Sequence, residues 1–196
     1  MKRLVSILLS VILACGMAVP VSAAGATFSD VPTSHWAYTQ IERAAEAGVM
    51  NGTGDGKFSP ENTLTLAQFV VIMTRAFYDA EVEASTAEGT WYAKHFDVAR
   101  VHGLLSGVNS YRPNDGATRY QMAAVMANLM ADKGAQMPSN ADLEAVQGKI
   151  GDWADIPAQC REAAATVFHL GLITGTDSKG TFNGAGTMKR SHATVV

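Results

Sequence analysis

The stretch GVMNGTGDGKFSPENTLTLAQ, residues 48–68, carries the main fold signal of this chain because related stretches follow it twice. Residues 103–121 are GLLSGVNSYRPNDGATRYQ, and residues 171–192 are GLITGTDSKGTFNGAGTMKRSH. Each copy has two glycines four positions apart, then an aromatic residue, then a polar segment. The first two copies start 55 positions apart. Such a spacing is typical of supersecondary units that bury their apolar faces against one another.

Each copy predicts a helix, a glycine-punctuated loop and a second helix. In the first copy, a helical pattern over 35–47 ends at Gly48, where a left-handed terminating residue is expected. Phe58 then follows the loop as a predicted buried plug. Thr65 with Gln68, and Thr118 with Gln121, are spaced as capping boxes that start the second helices. The predicted fold class is therefore all-α, built from three helix-loop-helix repeats.

Apolar residues follow both predicted caps at helical spacing, which predicts a core-facing side. They are Phe69, Ile72, Met73 and Phe77 in the first copy, and Met122, Val125, Met126 and Leu129 in the second. In the third copy Lys189 and His192 replace the box residues, and the helix has barely begun at Val196, so this repeat is predicted to be incomplete. A short helix is also expected around 141–147.

The N-terminus has the layout of a secretory signal peptide. Lys2 and Arg3 precede an apolar run, and a small-residue cleavage site ends at Ala23, which predicts a signal peptide over 1–23. An alternative is a lipoprotein box that ends in a lipidated Cys15. No later segment is long and apolar enough to cross a membrane. The sequence thus predicts an exported protein.

Composition argues against several classes of function. The formal net charge of −3 is spread along the chain, so neither nucleic acid nor an anionic membrane is an expected partner. After cleavage only Cys160 remains, which excludes an internal disulfide. The histidines lack metal-site spacing, and His95 is expected on the exposed side of its helix. We expect no metal, no cofactor and no catalytic site.

Calcium binding is an alternative function for the first loop. Asn51, Thr53 and Asp55 followed by Gly56 have the spacing of an EF-hand loop. The twelfth position is Asn62, however, where a bidentate glutamate belongs. The loop is therefore better explained as turn chemistry.

Several short motifs resemble the bacterial S-layer homology (SLH) domain. They are Phe28-Ser29-Asp30-Val31-Pro32, His35-Trp36-Ala37, Gly48-Val49-Met50-Asn51-Gly52 and Asp55-Gly56-Lys57-Phe58-Ser59-Pro60. The resemblance implies three tandem repeats, at 27–78, 90–132 and 150–196, joined by linkers at 79–89 and 133–149. It also implies a pseudo-threefold helical bundle. Domains of this family hold exported proteins on the cell surface by gripping secondary cell-wall polysaccharide, often through a pyruvylated, anionic sugar.

The family signature at the second helix is Thr-Arg-Ala-Glu, whose arginine is implicated in ligand binding. By position, this arginine corresponds to Arg119 and Arg190, whereas the first copy has Leu66. A cation at the first helical position opposes the helix dipole, so Arg119 after a Thr118 cap makes sense as an anion site. A solvated arginine or an inter-repeat salt bridge is the structural alternative.

The resemblance extends the predicted ligand site to further residues of the repeats. Trp36 and Trp91 could stack on sugars or plug the core, and we expect most of each indole to be buried. Asp30 belongs to the opening motif, of which Asp155 is the expected remnant in the third copy. Gly52 and Gly107 would let backbone approach a sugar closely.

The sequence as a whole predicts a non-catalytic module that anchors a protein to the bacterial cell wall. The predicted partner is an anionic secondary cell-wall polysaccharide bound in grooves between repeats. The alternatives left open are a calcium-binding or protein-interaction module, or the anchor of a larger secreted hydrolase. The oligomeric state is not determined by the sequence.

Overall fold

The computed structural model describes residues 26–109 and 111–195. Within these ranges the regular structure is helical, which confirms the all-α fold class. The α-helices are α1 (Tyr38–Glu46), α2 (Leu66–Ala84), α3 (Ala93–Val101), α4 (Arg119–Asp132), α5 (Asn140–Gln147) and α6 (Ala158–His169). Short 3₁₀ turns cover Trp153–Asp155 and His192–Thr194. The predicted signal peptide and Cys15 lie outside the described residues.

The helix boundaries follow the capping chemistry of the sequence. Thr65 and Thr118 each accept a bond from the backbone N–H three residues on, and Gln68 and Gln121 return a side-chain oxygen to the capping residue's own N–H. Both predicted capping boxes are thus confirmed. Gly48, just beyond α1, has a φ of 70°, as expected for a residue that ends a helix in the left-handed region.

The core lies where the apolar faces of the helices meet. Phe58 is fully buried. Two of the four apolar positions predicted for α2, Phe69 and Ile72, are buried, and so are all four of those predicted for α4. Met73 and Phe77 are only partly buried against this core. The polypeptide therefore packs as one continuous hydrophobic cluster that includes residues of every predicted repeat.

We call the predicted repeat ranges 27–78, 90–132 and 150–196 unit 1, unit 2 and unit 3. The backbone joins the described parts of these units in a cycle, because two successive N–H groups of each unit donate to carbonyls of the next. The bonds run from Leu66 and Ala67 to Asp115 and Pro113, from Arg119 and Tyr120 to Gly186 and Gly184, and from Arg190 and Ser191 to Asn62 and Pro60. The three junctions share one pattern, as the implied pseudo-threefold bundle requires.

The expected position of His95 was wrong. The side chain is buried, and its Nδ1 lies 2.8 Å from the hydroxyl oxygen of Thr74 on α2. Burial lowers the pKa of His95, with the charge of Arg75 acting in the same direction. The histidine therefore belongs to the packing between α2 and α3.

None of the helices in the described part of the chain is long and apolar enough to cross a membrane.

A charged cluster joins α2, α4 and the end of α3 on the outside of the core. His102 Nε2 lies 2.5 Å from Glu81 Oε2, and His102 Nδ1 lies 3.1 Å from Asp132 Oδ1. Tyr78 donates to Asp132 at 2.6 Å, and Lys133 Nζ lies 3.5 Å from the centroid of the Tyr78 ring. Hydrogen bonding to Glu81, and then to Asp132, raises the pKa of His102. The protonated imidazole thus bridges carboxylates of two helices.

This cluster predicts that the protein loses stability as the pH rises. A histidine whose pKa is raised by folding stabilises the fold fully below its unfolded value of about 6.5, and the contribution disappears above its folded value. We expect the free energy of unfolding to fall by on the order of 1 kcal/mol across this window, because the cluster is partly solvated. Urea denaturation at about pH 6 and about pH 9 measures the change.

His102→Gln keeps hydrogen-bonding capacity without a titratable charge, so its stability should vary less over the same pH window. His169→Gln is the matched control, since His169 is exposed. A His102→Gln protein with the parent's pH profile would contradict the assignment.

Candidate functional site

The two signature arginines extend into the neighbouring unit and are nearly buried. Arg119 is 9% exposed, and its Nε and Nη2 donate to the carbonyls of Phe182 and Thr174, each at 2.6 Å. Arg190 is 4% exposed and donates in the same way to Phe58 at 2.9 Å and Asn51 at 2.8 Å. Each guanidinium thus satisfies two loop carbonyls of the next unit in the cycle.

Each arginine also lies over the aromatic plug of the neighbouring unit. The guanidinium carbon is 5.2 Å from the Phe182 ring centroid for Arg119, and 4.7 Å from the Phe58 centroid for Arg190. Burial lowers the pKa of both arginines, and the charges of Asp152 and Asp30, respectively, oppose this effect. Among the described residues neither arginine forms an ion pair.

Asp30 holds the loop that receives Arg190. Its carboxylate accepts bonds from the N–H groups of Phe58 and Ser59, both at 2.8 Å. In unit 3 the same role belongs to Asp152, which accepts from Phe182 at 2.6 Å and from Asn183 at 2.8 Å. The prediction that Asp155 is the counterpart of Asp30 in the third copy was therefore wrong. Asp152, three residues earlier, makes the equivalent bonds.

The junction between units 1 and 2 lacks the arginine. Leu66 takes the arginine's place at the helix start and is fully buried. Tyr111, which corresponds by sequence to Phe58 and Phe182, is 49% exposed. Leu66 has no hydrogen-bond donor for loop carbonyls and no positive charge to interact with an aromatic ring. This junction therefore differs chemically from the other two.

The expectation that most of each tryptophan would be buried was wrong. Trp36 is 55% exposed and Trp91 is 61% exposed. Each lies in the loop just before its helix, where no helical face directs it towards the core. Both indoles are therefore available to a ligand, but they lie on different units.

The surroundings of Trp36 combine residues from units 1 and 3. Its ring centroid lies 5.8 Å from that of His35 and 5.1 Å from that of His192. Lys189 Nζ lies 2.5 Å from Glu61 Oε2, and His35 Nε2 lies 3.9 Å from Glu61 Oε1. The result is an exposed indole between two histidine rings, at the same junction as Arg190 and the Lys189–Glu61 ion pair. The sequence analysis did not predict His192 as a neighbour of this indole, although His192 replaces a member of the capping pair in the third copy.

The remaining predicted site residues have local roles within the protein. Thr118 caps α4, as predicted. A Cβ on Gly52 would lie 2.6 Å from the Lys57 carbonyl oxygen and 2.9 Å from the Phe28 ring, so this glycine permits close packing within unit 1. Gly107 adopts a φ of 70°. In the described part of the chain no three histidine, cysteine, aspartate or glutamate side chains are grouped to hold a metal.

Comparison with known proteins identifies the class to which this architecture belongs. Residues 27–70 match the family model described as S-layer homology domain. The chain is 26% identical over 185 residues to "S-layer protein sap" of Bacillus anthracis, which covers 89% of this chain and 21% of that protein.

Two enzymes are similar to this chain to about the same degree. An "Endoglucanase" of Bacillus sp. (strain KSM-635) is 27% identical over 190 residues, with 89% of this chain and 19% of the enzyme covered. An "Amylopullulanase" of Thermoanaerobacterium thermosulfurigenes is 27% identical over 179 residues, with 87% and 9% covered. The chain thus spans about a fifth or less of the length of these relatives.

Residues 27–70 thus match the S-layer homology family that the sequence motifs predicted. This match and the S-layer relatives associate the chain with the cell surface or cell wall and support a surface-anchoring role.

The buried arginine contacts predict a large structural cost for Arg190→Ala. The change leaves the carbonyls of Phe58 and Asn51 without their donors inside a junction. We expect the free energy of unfolding to fall by about 2–4 kcal/mol, measured by urea denaturation. Arg43→Ala is the matched control, because Arg43 is exposed on α1, and it should change stability by less than about 0.5 kcal/mol. A cost for Arg190→Ala as small as the control's would refute the structural role.

Proposed function

We propose that this protein is a non-catalytic module that binds anionic secondary cell-wall polysaccharide, and that the junction of units 3 and 1 is its main binding groove. The observation that carries the proposal is the exposed Trp36 beside His192, at the junction where Arg190 crosses between units. An aromatic face can pack against a sugar ring while nearby cationic groups attract a carboxylate.

The signature arginines retain a part in this proposal through one nitrogen each. Their bonds within the described chain use Nε and Nη2. In the described part of the chain no hydrogen bond uses Nη1 of either arginine. We expect Nη1 to donate a hydrogen bond to the anionic group of the glycan. The other two donors would keep the loop carbonyls of the groove in position. Thr118 would support Arg119 as the helix cap, and Asp30 would hold the loop that Arg190 contacts.

The relatives also support an anchoring role within a longer protein. They include S-layer proteins and polysaccharide-degrading enzymes, and in each case the similarity covers only a small share of the relative. A segment shared by proteins of such different activity is best explained as a common attachment device. The cargo of this module would then lie outside its 196 residues.

Binding to purified cell-wall sacculi, with and without their secondary polymer, tests the proposal. The exported protein should sediment with intact sacculi and remain in solution once the polymer has been extracted. Trp36→Ala should weaken binding by about tenfold, because a stacking contact of this kind contributes roughly 1 kcal/mol or somewhat more. Added salt should weaken binding further, since exposed charges are screened.

Arg43→Ala is the control for the nonspecific effect of losing one positive charge. Arg43 is exposed on α1, away from the junction bonds, so its loss should not change binding. Equal sedimentation with extracted sacculi would exclude the polysaccharide as the partner. If intact sacculi bind the parent and Trp36→Ala equally, the groove has been assigned to the wrong junction.

A further inference from the structure

His192 occupies a helix position that belongs to a capping box in the other two units. In units 1 and 2 the corresponding residues, Gln68 and Gln121, accept the backbone N–H of a capping threonine. In unit 3 the capping position holds Lys189, and no side chain caps the turn that starts at His192. The imidazole is therefore not held by its own helix, and its ring centroid lies 5.1 Å from that of Trp36.

Two imidazole rings flank the exposed indole of Trp36, and they differ in the bonds that their nitrogens make. His35 Nδ1 accepts the backbone N–H of Ala37 at 3.1 Å. A backbone amide can only donate, so this nitrogen keeps its lone pair, and a second proton on the ring would break the bond. In the described part of the chain no hydrogen bond uses a ring nitrogen of His192. His192 can therefore take up a proton without losing a bond.

Glu61 of unit 1 is an acidic group that faces both histidines. Lys189 donates to it, with Nζ 2.5 Å from Oε2, and His35 Nε2 lies 3.9 Å from Oε1. The bond from Lys189 lowers the pKa of Glu61, and the charges of His35 and His192 act in the same direction. Glu61 is therefore ionised at neutral pH, and Lys189 already balances its charge.

The other charges around the turn at His192 do not change near neutral pH. Asp30 faces two cations, Lys57 and Arg190. The helix α1, which packs against the turn, carries three charged side chains, Glu42, Arg43 and Glu46. Among the described residues none of these three forms an ion pair with His192. Carboxylates, lysines and arginines keep their charge between about pH 5.5 and about pH 8, whereas an ordinary imidazole, with a pKa of about 6.5, loses it.

We propose that His192 sets the charge of this groove, so that the groove binds an anionic sugar more tightly at acidic than at alkaline pH. The proposal rests on the proposed function and adds a regulation of the same site. A protonated imidazole places a positive charge at the edge of the indole on which the sugar would pack, and a carboxylate of the sugar then gains a partner. The neutral imidazole offers only its ring.

Nuclear magnetic resonance of Trp36 tests this switch without any glycan. The indole N–H signal of Trp36, identified by its absence in Trp36→Phe, is followed from about pH 5.5 to about pH 8. We expect it to shift over this range, because the neighbouring imidazole changes its charge. His192→Gln should remove the shift, and His169→Gln, the matched control at an exposed position, should keep it. A Trp36 signal that ignores pH, or one that shifts equally in His192→Gln, would overturn the proposal.

Sedimentation with intact sacculi measures the effect on binding at the same two pH values. The parent should have a dissociation constant about threefold to fivefold lower at the acidic pH, as expected for one partly solvated charge pair. His192→Gln should bind like the parent at the alkaline pH and gain nothing at the acidic one. His192→Arg, whose charge does not titrate, should bind at both pH values as tightly as the parent does at the acidic one.

The possible failures of this inference and of the proposed function differ. Equal dissociation constants of the parent at both pH values would refute the regulation alone, because binding itself would stand. If the pH dependence persists in His192→Gln, or if His35→Gln removes it instead, the charge belongs to another group and the proposal is wrong. Absence of polymer-dependent sedimentation by the parent at both pH values would count against the proposed function itself.

Discussion

The structure depends on two buried guanidinium groups that must find acceptors in a neighbouring unit. A buried cation without partners is costly, and Arg119 and Arg190 avoid this cost only when the next unit's loop presents its carbonyls. Those loops are in turn held by Asp152 and Asp30, which bond the N–H groups of the aromatic plugs. Unit 3 therefore completes the polar bonding of Arg119 and unit 1 that of Arg190, and the closed arrangement is favoured over separate hairpins.

The three junctions share a backbone pattern but differ in side-chain chemistry. Units 2 and 3, and units 3 and 1, meet through an arginine over a phenylalanine, whereas units 1 and 2 meet through an aliphatic side chain. The exposed tryptophans add a second difference, since Trp36 has basic neighbours and Trp91 has aromatic ones. A repeated backbone thus displays chemically different surfaces at its three junctions.

Local features of the fold could be predicted from the sequence, because their causes are themselves local. Capping boxes at Thr65 and Thr118, and the left-handed Gly48, depend on residues within one helical turn. The positions of Trp36, Trp91 and His95 could not be predicted in this way. The indoles precede their helices and so have no periodicity, and His95 is determined by Thr74 on another helix. The acceptors of Arg119 and Arg190 are backbone carbonyls. Because every residue has a backbone carbonyl, the sequence does not indicate which ones accept these bonds.

The closing contacts of the cycle also favour an order of events as the chain folds. Arg190 bonds carbonyls of residues 132 and 139 positions earlier, whereas Leu66 meets Asp115 across a much shorter loop. Contacts between distant residues form late, because a long loop must be ordered first. Units 1 and 2 can therefore pair before unit 3 closes the cycle. Until unit 3 packs, the carbonyls of Phe58 and Asn51 can bond only water, so the loop that carries them gains its final support last.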